Sequence, residues 1–275
     1  MKKNDLTKLL VVALLICLCT LYTSLSHAGT LTDNFDGASL DTTLWSYYHN
    51  DDNQRCLQEN GVLKIQIDGA SSGPDYFGAG VGGNFLLKGN FEIVIDYQLI
   101  KWPHANGVGA GINFMGDNFD KNGQMTQRSF GADEPPTIKE NYVADFKDGE
   151  YLDHYQTATI DTTGKMKLTR VGSVMAGYFF NSVDDNWELV GSHDYAATGL
   201  DEWLEIGLNA VSVLATYTPD GQLVHPFAGQ DVEIAFDNFQ MTYDQIRYVP
   251  IPGTLLLLGS GLLGLAGLGR RSKKG

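Results

Sequence analysis

The chain is poor in cysteine. Three cysteines occur in 275 residues, and two of them, Cys17 and Cys19, lie in an apolar stretch at the N-terminus. Only Cys56 remains in the body of the chain, so no disulfide can form within it. Stability must come from a hydrophobic core, for which the length is sufficient. Cys56 is predicted to be a buried, small apolar side chain, and a bridge to a second chain is the alternative.

Positive charge is also scarce, since 19 Lys and Arg stand against 33 Asp and Glu. Three of the cations lie before residue 29 and four lie after residue 269, whereas these ends hold a single acid, Asp5. The region from Gly29 to Gly269 therefore carries a net charge of 12 − 32 = −20. This balance disfavours nucleic acids and anionic membrane surfaces as partners, and it leaves cations and neutral polysaccharides.

Motifs for metals and cofactors are lacking as well. The chain has no Cys-x-x-Cys or His-x-x-x-His pair, which argues against the common zinc and haem patterns. The glycine-rich stretch from Gly107 to Gly111 lacks the Lys of a phosphate-binding loop. The sequence therefore predicts no cofactor beyond a structural calcium ion, which is considered below.

Helical periodicity is absent from the body of the chain, where short alternating runs are separated by Gly, Asn and Asp. In the clearest run, Phe91 to Leu99, every second residue is apolar, which predicts a strand with one buried face. Asn60–Gly61 and Gly172–Ser173 lie between apolar runs and predict hairpin turns. These patterns predict an all-β, two-sheet antiparallel β-sandwich. The polar segment from Gly116 to Glu150 is predicted to be a loop or an excursion from it.

Residues 1–28 have the pattern of a secretory signal peptide. Three lysines precede an apolar stretch from Leu9 to Leu18, and a small-x-small site ends at Ala28. Export by the Sec machinery and cleavage between Ala28 and Gly29 are therefore predicted. An uncleaved membrane anchor is the alternative.

The C-terminus has three parts in a fixed order: a proline motif, an uncharged apolar run from Thr254 to Gly269, and a basic end with Arg270 and Arg271. Counted from Ile251, the apolar run is just long enough to span a bilayer as a helix. The arrangement resembles the PEP-CTERM sorting signal of Gram-negative bacteria, although Ile251 replaces the usual Glu. The resemblance implies processing by an exosortase and a place at the cell surface or in a biofilm matrix. An ordinary membrane anchor is the alternative. The motif consists of Val249, Pro250, Ile251, Pro252 and Gly253.

The region between these ends, residues 29–248, is predicted to be one domain. Its opening, Asp33-Asn34-Phe35-Asp36-Gly37 followed by Leu44-Trp45, resembles that of concanavalin A-like (laminin G-like) jelly rolls. The late run Ala235-Phe236-Asp237-Asn238-Phe239 resembles a closing strand of the same family. The resemblance implies the fold and leaves the activity open, because the family includes glycanases and sugar-binding modules.

A glycan hydrolase needs two carboxyl groups across the scissile bond. In the family-16-like glucanases that the fold resembles, these groups lie on one strand as Glu-x-Asp-x-x-Glu. The present chain has no Glu-x-Asp sequence, so no catalytic residue is predicted.

Alternation places polar and aromatic side chains on one face of each of two later strands. If the strands are neighbours, these residues could bind a sugar; otherwise they form a solvated face of an acidic protein. Trp102 is a further candidate for stacking on a sugar or for a structural role, and Trp45 and Trp187 are expected in the core. The candidates on the two strands are Trp203, Glu205 and Asn209, and Asp231 and Glu233.

Calcium takes oxygen ligands from carboxylates, and the jelly-roll resemblance implies a structural calcium site at Asp36 and Asp237. The acidic loops Asp51–Asn53 and Asp117–Gly123 are weaker candidates, since such loops are commonly solvated turns.

These observations favour an exported surface or matrix protein whose β-sandwich binds polysaccharide or has a structural role. A divergent glycan hydrolase or lyase acting through Glu205 or the Asp231/Glu233 face is the first alternative, and a calcium-dependent adhesin is the second.

Overall fold

The computed structural model describes residues 25–26, 28–49, 54–68, 76–103, 108–116, 121–131, 138–213, 216–217, 223–224 and 231–249. Most of the predicted signal peptide and nearly all of the predicted sorting signal lie outside these residues. The described residues contain strands and turns and no α-helix, as the alternating patterns predict. No described helix is therefore long and apolar enough to cross a membrane.

The described residues form seventeen strands. The first eight are β1 (Leu25–Ser26), β2 (Gly29–Asp33), β3 (Trp45–His49), β4 (Gln54–Glu59), β5 (Val62–Ile67), β6 (Tyr76–Lys101), β7 (Val108–Gly116) and β8 (Lys121–Gly131). The remaining nine are β9 (Ile138–Asp148), β10 (Tyr151–Ala158), β11 (Thr163–Val171), β12 (Val174–Asn181), β13 (Asn186–Asp194), β14 (Leu204–Val213), β15 (Thr216–Tyr217), β16 (Leu223–Val224) and β17 (Val232–Tyr248).

Fifteen of these strands belong to one antiparallel sheet, which β6 divides into two layers. The front layer runs in the order β10-β9-β8-β7-β14-β6-β3 and uses residues 76–88 of β6. The back layer runs β13-β12-β11-β6-β17 and uses residues 91–101 of β6. The last four residues of β17 continue along residues 85–88 of β6 into the front layer. Along its other edge, β17 pairs in turn with β5, β2 and β1.

The passage of β6 from one layer to the other occurs at Gly89, whose φ of 81° favours glycine. Asp244 on β17 accepts a hydrogen bond from the Asn90 N–H at 2.8 Å, beside this point. A Cβ on Gly89 would lie 2.8 Å from Asp244 Oδ2. Glycine at position 89 therefore allows the backbone to bend, and the hydrogen bond from Asn90 to the Asp244 carboxylate holds the bend in place.

The two layers pack face to face around a single hydrophobic core. Tyr142 of the front layer stacks on Phe179 of the back layer with ring centroids 4.5 Å apart. Its hydroxyl also shares a 2.7 Å hydrogen bond with the Tyr97 hydroxyl. The predicted sandwich is confirmed to this extent, although its layers are parts of one continuous sheet.

The local predictions for β6 and two hairpins are confirmed. The five apolar residues alternating from Phe91 to Leu99 are all buried. The β4–β5 hairpin turns at Asn60 and Gly61, with φ values of 55° and 77°, as expected for an Asn-Gly turn between strands. The β11–β12 hairpin turns at Gly172–Ser173.

The prediction of a loop or excursion for residues 116–150 is wrong. This segment contains all of β8 and β9, which lie inside the front layer between β7 and β10. One face of these strands is apolar at Met125, Tyr142, Ala144 and Phe146, all of them buried. Asn122, Gln124, Asn141 and Asp145 alternate with these residues and face the other way, whereas Gln127 shares the inner face.

Trp45 and Cys56 lie where the sequence predicts, and Trp187 does not. Trp45 is 1% exposed. Cys56 is buried, and its Sγ lies 3.1 Å from the Gly80 carbonyl oxygen. Trp187 is half-buried on the outer face of the back layer, edge-on to Phe180 and with Lys167 Nζ 4.5 Å from its ring centroid. The ring buries area against neighbours on the surface instead of entering the core.

Candidate functional site

The outer face of the front layer carries a line of polar side chains at one level of the sheet. Asn113 on β7 is the register partner of Gln124 on β8, which pairs with Asp145 on β9, which pairs with His154 on β10. Register partners in a sheet share a face. We call these four residues the polar row.

Hydrogen bonds fix the centre of the polar row. Gln124 Nε2 donates to Asp145 Oδ2 at 2.7 Å, and His154 Nδ1 lies 2.6 Å from Asp145 Oδ1. Asp145 is only 6% exposed, so its carboxylate is held by its two neighbours in the row. Side chains that are positioned before a ligand arrives lose less conformational entropy when they bind it.

Glycines border the polar row towards the centre of the sheet. The same level continues through Gly207 on β14 to Gly82 on β6. The Asn113 side chain leans over Gly207, where an added Cβ would clash with Asn113 Oδ1. Because these glycines have no side chains of their own, the Asn113 amide and the Glu205 carboxyl group can lie against the backbone beside the row.

The next level of the same face holds Asn209, Gly111 and Thr126 on neighbouring strands. Thr126 is 2% exposed, and its hydroxyl has no hydrogen-bond partner among the described residues. Buried hydroxyls are normally paired. Asn209, predicted as a ligand-binding residue, therefore lies on the same face as the polar row, one level away.

Glu205 also lies on this face, at the level on the other side of the polar row. The residue as a whole is exposed, but its carboxyl group rests over the backbone at Gly82, where a Cβ would be 3.1 Å from Glu205 Oε1. Partial burial raises the pKa of this carboxyl group. Carboxyl groups whose pKa is raised by burial are common in binding sites.

The raised pKa predicts that Glu205→Gln stabilises the protein at pH 7. The folded state holds the Glu205 proton more tightly than the unfolded state, so this group's contribution to stability falls as the pH rises through the folded-state pKa. The variant should exceed the wild type in unfolding free energy by less than about 1 kcal/mol, because water still reaches the group. The gain should shrink at pH 4.

Urea denaturation at the two pH values measures this gain. Glu150→Gln, in the exposed turn between β9 and β10, is the control and should show no comparable gain. A Glu205→Gln variant less stable than the wild type at pH 7 contradicts the prediction.

The two tryptophans proposed for sugar stacking have other contacts. The Arg247 guanidinium lies 4.5 Å from the Trp203 ring centroid, and Lys88 Nζ lies 5.7 Å from it. Trp102 packs against the core and donates from Nε1 to Glu140 Oε2 at 2.8 Å, joining the back layer to the front layer. These contacts favour the structural role for Trp102 and leave part of the Trp203 ring at the surface.

Asp231 and Glu233 lie elsewhere, so the arrangement in which they share a surface with Glu205 and Asn209 is wrong. β14 pairs with β7 and β6, whereas the start of β17, which carries Glu233, lies between β5 and the end of β6 in the back layer. Glu233 is paired with Lys64 at 3.3 Å, and Asp231 with Lys101 at 3.6 Å. They line an open pocket of about 270 Å³. Alternation along single strands could not show which strands are adjacent.

The residues proposed to bind calcium are Asp36 and Asp237. Asp36 lies beside Gly61 in the β4–β5 turn. Asp237 is the register partner of Asp96 and accepts a hydrogen bond from the Asn238 N–H at 2.6 Å. Within the described ranges, no group of three or more His, Cys, Asp or Glu residues could hold a metal ion. Most of the two acidic loops lies outside these ranges.

Sequence reasoning identified Glu205 and Asn209 and missed the polar row and Thr126. The signal was present, since polar residues alternate with apolar ones at Asn113, Gln124 and Asp145. The sequence does not show the pairing register, and only the register places these residues at the same level of neighbouring strands. Of the residues predicted to be processed, Ala28 lies just before β2, Gly29 begins β2, and Val249 is the last described residue. Pro250, Ile251, Pro252, Gly253, Arg270 and Arg271 lie outside the described residues.

No protein-family model matches the chain, and no curated protein matches it in sequence. Solved structures do share its fold. The pseudo-β-1,3-glucanase of Mycobacterium tuberculosis matches with a TM-score of 0.54 and 13% identity, over 78% of this chain and 98% of that one. SCLam, an endo-β-1,3(4)-glucanase from family GH16, matches with a TM-score of 0.51 and 14% identity, over 82% and 93%. Lectin I from Ulex europaeus matches with a TM-score of 0.52 and 10% identity, over 82% and 100%. These likenesses confirm the jelly-roll fold.

Proposed function

We propose that the protein is an exported polysaccharide-binding protein and that the polar row is the centre of its binding surface. The observation that carries this proposal is the alignment of Asn113, Gln124, Asp145 and His154 beside a strip of glycines. Amide, carboxylate and imidazole groups donate and accept hydrogen bonds, as sugar hydroxyls require. Gly207 and Gly82 let the Asn113 amide and the Glu205 carboxyl group lie low on the sheet, where both can bond to the same sugar chain.

The spacing of the carboxylates favours binding over hydrolysis. On this face, Glu205 on β14 and Asp145 on β9 are separated by three strand intervals, or about 14 Å. Glycosidases hold their two carboxyl groups about 5–9.5 Å apart. Each described strand of this face presents at most one carboxylate, which differs from the Glu-x-Asp-x-x-Glu arrangement on a single strand.

The structural neighbours are consistent with a carbohydrate ligand. They include an endo-β-1,3(4)-glucanase, a pseudo-β-1,3-glucanase and a lectin bound to the methyl glycoside of α-L-fucose. The name of the pseudo-glucanase also indicates that this fold occurs in a protein set apart from active glucanases. β-Linked glucans are therefore the first polysaccharides to test.

The proposed location rests on the two ends of the sequence. Export through the Sec machinery would end with cleavage between Ala28 and Gly29. The C-terminal helix would then hold the protein in the inner membrane until an exosortase acts at the motif from Val249 to Gly253. The mature domain would reside at the cell surface or in an exopolysaccharide matrix.

Affinity electrophoresis in gels that contain soluble β-1,3-glucan, or the producing organism's own extracellular polysaccharide, tests the binding proposal. The wild type should be retarded by at least one of them. Asn113→Ala combined with Gln124→Ala should weaken binding at least tenfold, because each lost hydrogen bond contributes about 1 kcal/mol.

Gln98→Ala is the matched control, since Gln98 is exposed on the back layer and should leave retardation unchanged. Reducing ends are measured in parallel, with and without calcium. Release of reducing ends would support the hydrolase instead and direct attention to Glu205→Gln. Loss of retardation on chelation would support the calcium-dependent adhesin. Retardation by neither polysaccharide would overturn the proposal.

A further inference from the structure

The outer face of the back layer carries aromatic side chains on two neighbouring strands. Tyr178 and Phe180 on β12 are the register partners of Leu189 and Trp187 on β13. The Phe180 and Trp187 rings meet edge to face, with centroids 5.3 Å apart. The three rings are half-buried, and Leu189 is 54% exposed. We call these four residues the aromatic platform.

A bulge in β13 places two members of the aromatic platform outside. The register between β12 and β13 shifts between Gly177 and Tyr178, where β13 has one extra residue, Val190. Because side chains alternate along a strand, Leu189 and Trp187 would face the core without this extra residue. Bulges re-aim side chains and are common next to functional sites. The bulge therefore favours a role for the outward side chains of the platform.

The polar groups of two platform rings are available to a ligand. Trp45 and Trp102 donate their indole N–H groups to carboxylates. In contrast, the Trp187 indole N–H and the Tyr178 hydroxyl make no hydrogen bond within the part of the chain that the structure describes. Buried Trp and Tyr rings usually pair these groups. On the half-buried platform they face an outside partner, which is water or a ligand.

Lys167 on β11 holds the same two rings in place. Its Nζ lies 4.8 Å from the tyrosine ring centroid and 4.5 Å from the tryptophan ring centroid. It also lies 3.6 Å from a Glu92 carboxylate oxygen, and the neighbouring Lys165 pairs with Asp96 at 3.0 Å. The charges beside the platform therefore cancel in pairs, which suits an uncharged ligand better than a charged one.

We propose that the aromatic platform is a second carbohydrate-binding site, which stacks on an uncharged polysaccharide. The C–H groups on one face of a pyranose ring pack against aromatic rings, and its hydroxyls bond to groups such as the Trp187 indole N–H and the Tyr178 hydroxyl. Together with Lys167, the platform extends about 10 Å across three strands and about 7 Å along them. A stable protein–protein interface buries about 800 Å² on each partner. The platform is therefore matched to a short stretch of a sugar chain and is too small for a protein partner.

The aromatic platform and the polar row lie on opposite faces of the sandwich, one on the back layer and one on the front layer. One molecule would therefore hold two polysaccharide chains, one on each side, and cross-link them. This consequence rests on the proposed function, whereas binding at the platform does not depend on the polar row. The wild type should raise the viscosity of a polysaccharide solution, and Trp187→Ala should not.

Affinity electrophoresis of the full chain with Asn113→Ala and Gln124→Ala isolates the platform, because the polar row is altered in this variant. The gels contain soluble β-1,3-glucan or the producing organism's own extracellular polysaccharide. The variant should keep a weak retardation by at least one of them. Adding Trp187→Ala should lower this residual affinity at least tenfold, because the stacking ring is lost. Adding Trp187→Tyr instead keeps an aromatic ring and should lower it less.

Two further variants separate binding from folding. Leu189→Asp changes an exposed side chain, so the fold should be retained while the carboxylate weakens the residual binding. Val171→Ala is the matched control, since Val171 is 67% exposed at the far end of the same layer and its replacement should have no effect. Circular dichroism checks that each variant is folded.

Residual binding that survives both Trp187→Ala and Leu189→Asp would overturn the platform, as would a polar-row variant with no residual binding. A wild-type dimer that Trp187→Ala dissociates, seen by sedimentation equilibrium, would also overturn it and assign the platform to a second copy of the chain. The polar row is scored separately. If Asn113→Ala with Gln124→Ala binds like the wild type and Trp187→Ala does not, the platform stands and the polar row fails. A wild type retarded by neither polysaccharide would overturn both.

Discussion

Replacing Trp45 by Ala is expected to lower the free energy of unfolding by about 3–5 kcal/mol. The ring is 1% exposed and sits edge-on to Phe239 at 4.9 Å and to Phe85 at 5.8 Å between centroids. Its Nε1 donates to Asp33 Oδ2 at 2.9 Å. Truncation would leave a large cavity between the layers and remove the partner of a carboxylate. A loss of this size is a large fraction of the stability of an ordinary domain.

Trp187→Ala provides the matched comparison because it removes the same side chain from a surface site. Its ring is half-buried against Phe180 and Lys167, so the expected loss is about 1 kcal/mol. Urea denaturation followed by circular dichroism measures both variants. Equal losses for the two variants would show that the Trp45 site is not the core position described here.

Alkylation of Cys56 in the folded protein is expected to be at least about a thousandfold slower than that of an exposed thiol at pH 8. Burial raises the pKa of the Cys56 thiol to about 12. The thiolate is the reactive form, and at pH 8 it would amount to about 10⁻⁴ of the thiol, against roughly a fifth for an unperturbed cysteine. Burial of the sulfur slows the reaction further.

Iodoacetamide labelling read by peptide mass spectrometry separates Cys56 from Cys17 and Cys19. Cys56→Ser combined with Ser39→Cys places the thiol in an exposed loop and should react at the ordinary rate. Urea should restore the reactivity of Cys56. Fast labelling of the native protein, or a dimer linked through Cys56, would contradict the buried thiol.

The elements that the sequence predicts well are those determined by neighbouring residues. Alternation from Phe91 to Leu99 and the Asn60–Gly61 turn each depend on a few consecutive side chains. The continuation of β6 across Gly89 depends on Asp244, which is more than 150 residues away. Local patterns contain no information about such a contact, so the division of one sheet into two layers could not be predicted.

The candidate site was predictable only in part for the same reason. Glu205 and Asn209 alternate on one strand, so their shared face could be read from spacing. Asn113, Gln124, Asp145 and His154 come from four strands, and a shift of one residue in any strand would turn its side chain to the core. Trp187 was predicted to be buried because of its residue type. The alternation of side chains along β13 places its ring on the outer face instead.

The last long strand, β17, also determines how the domain bears a pulling force. In the mature domain it is flanked on one side by β6 and on the other by β5 and β2. Antiparallel hydrogen bonds lie perpendicular to the strands, so tension applied along β17 from Tyr248 loads the bonds on both edges together, in shear. They must break as a group before the strand can slide out. A domain held by its C-terminal end would therefore resist drag on a bound polymer through its most extensively paired strand.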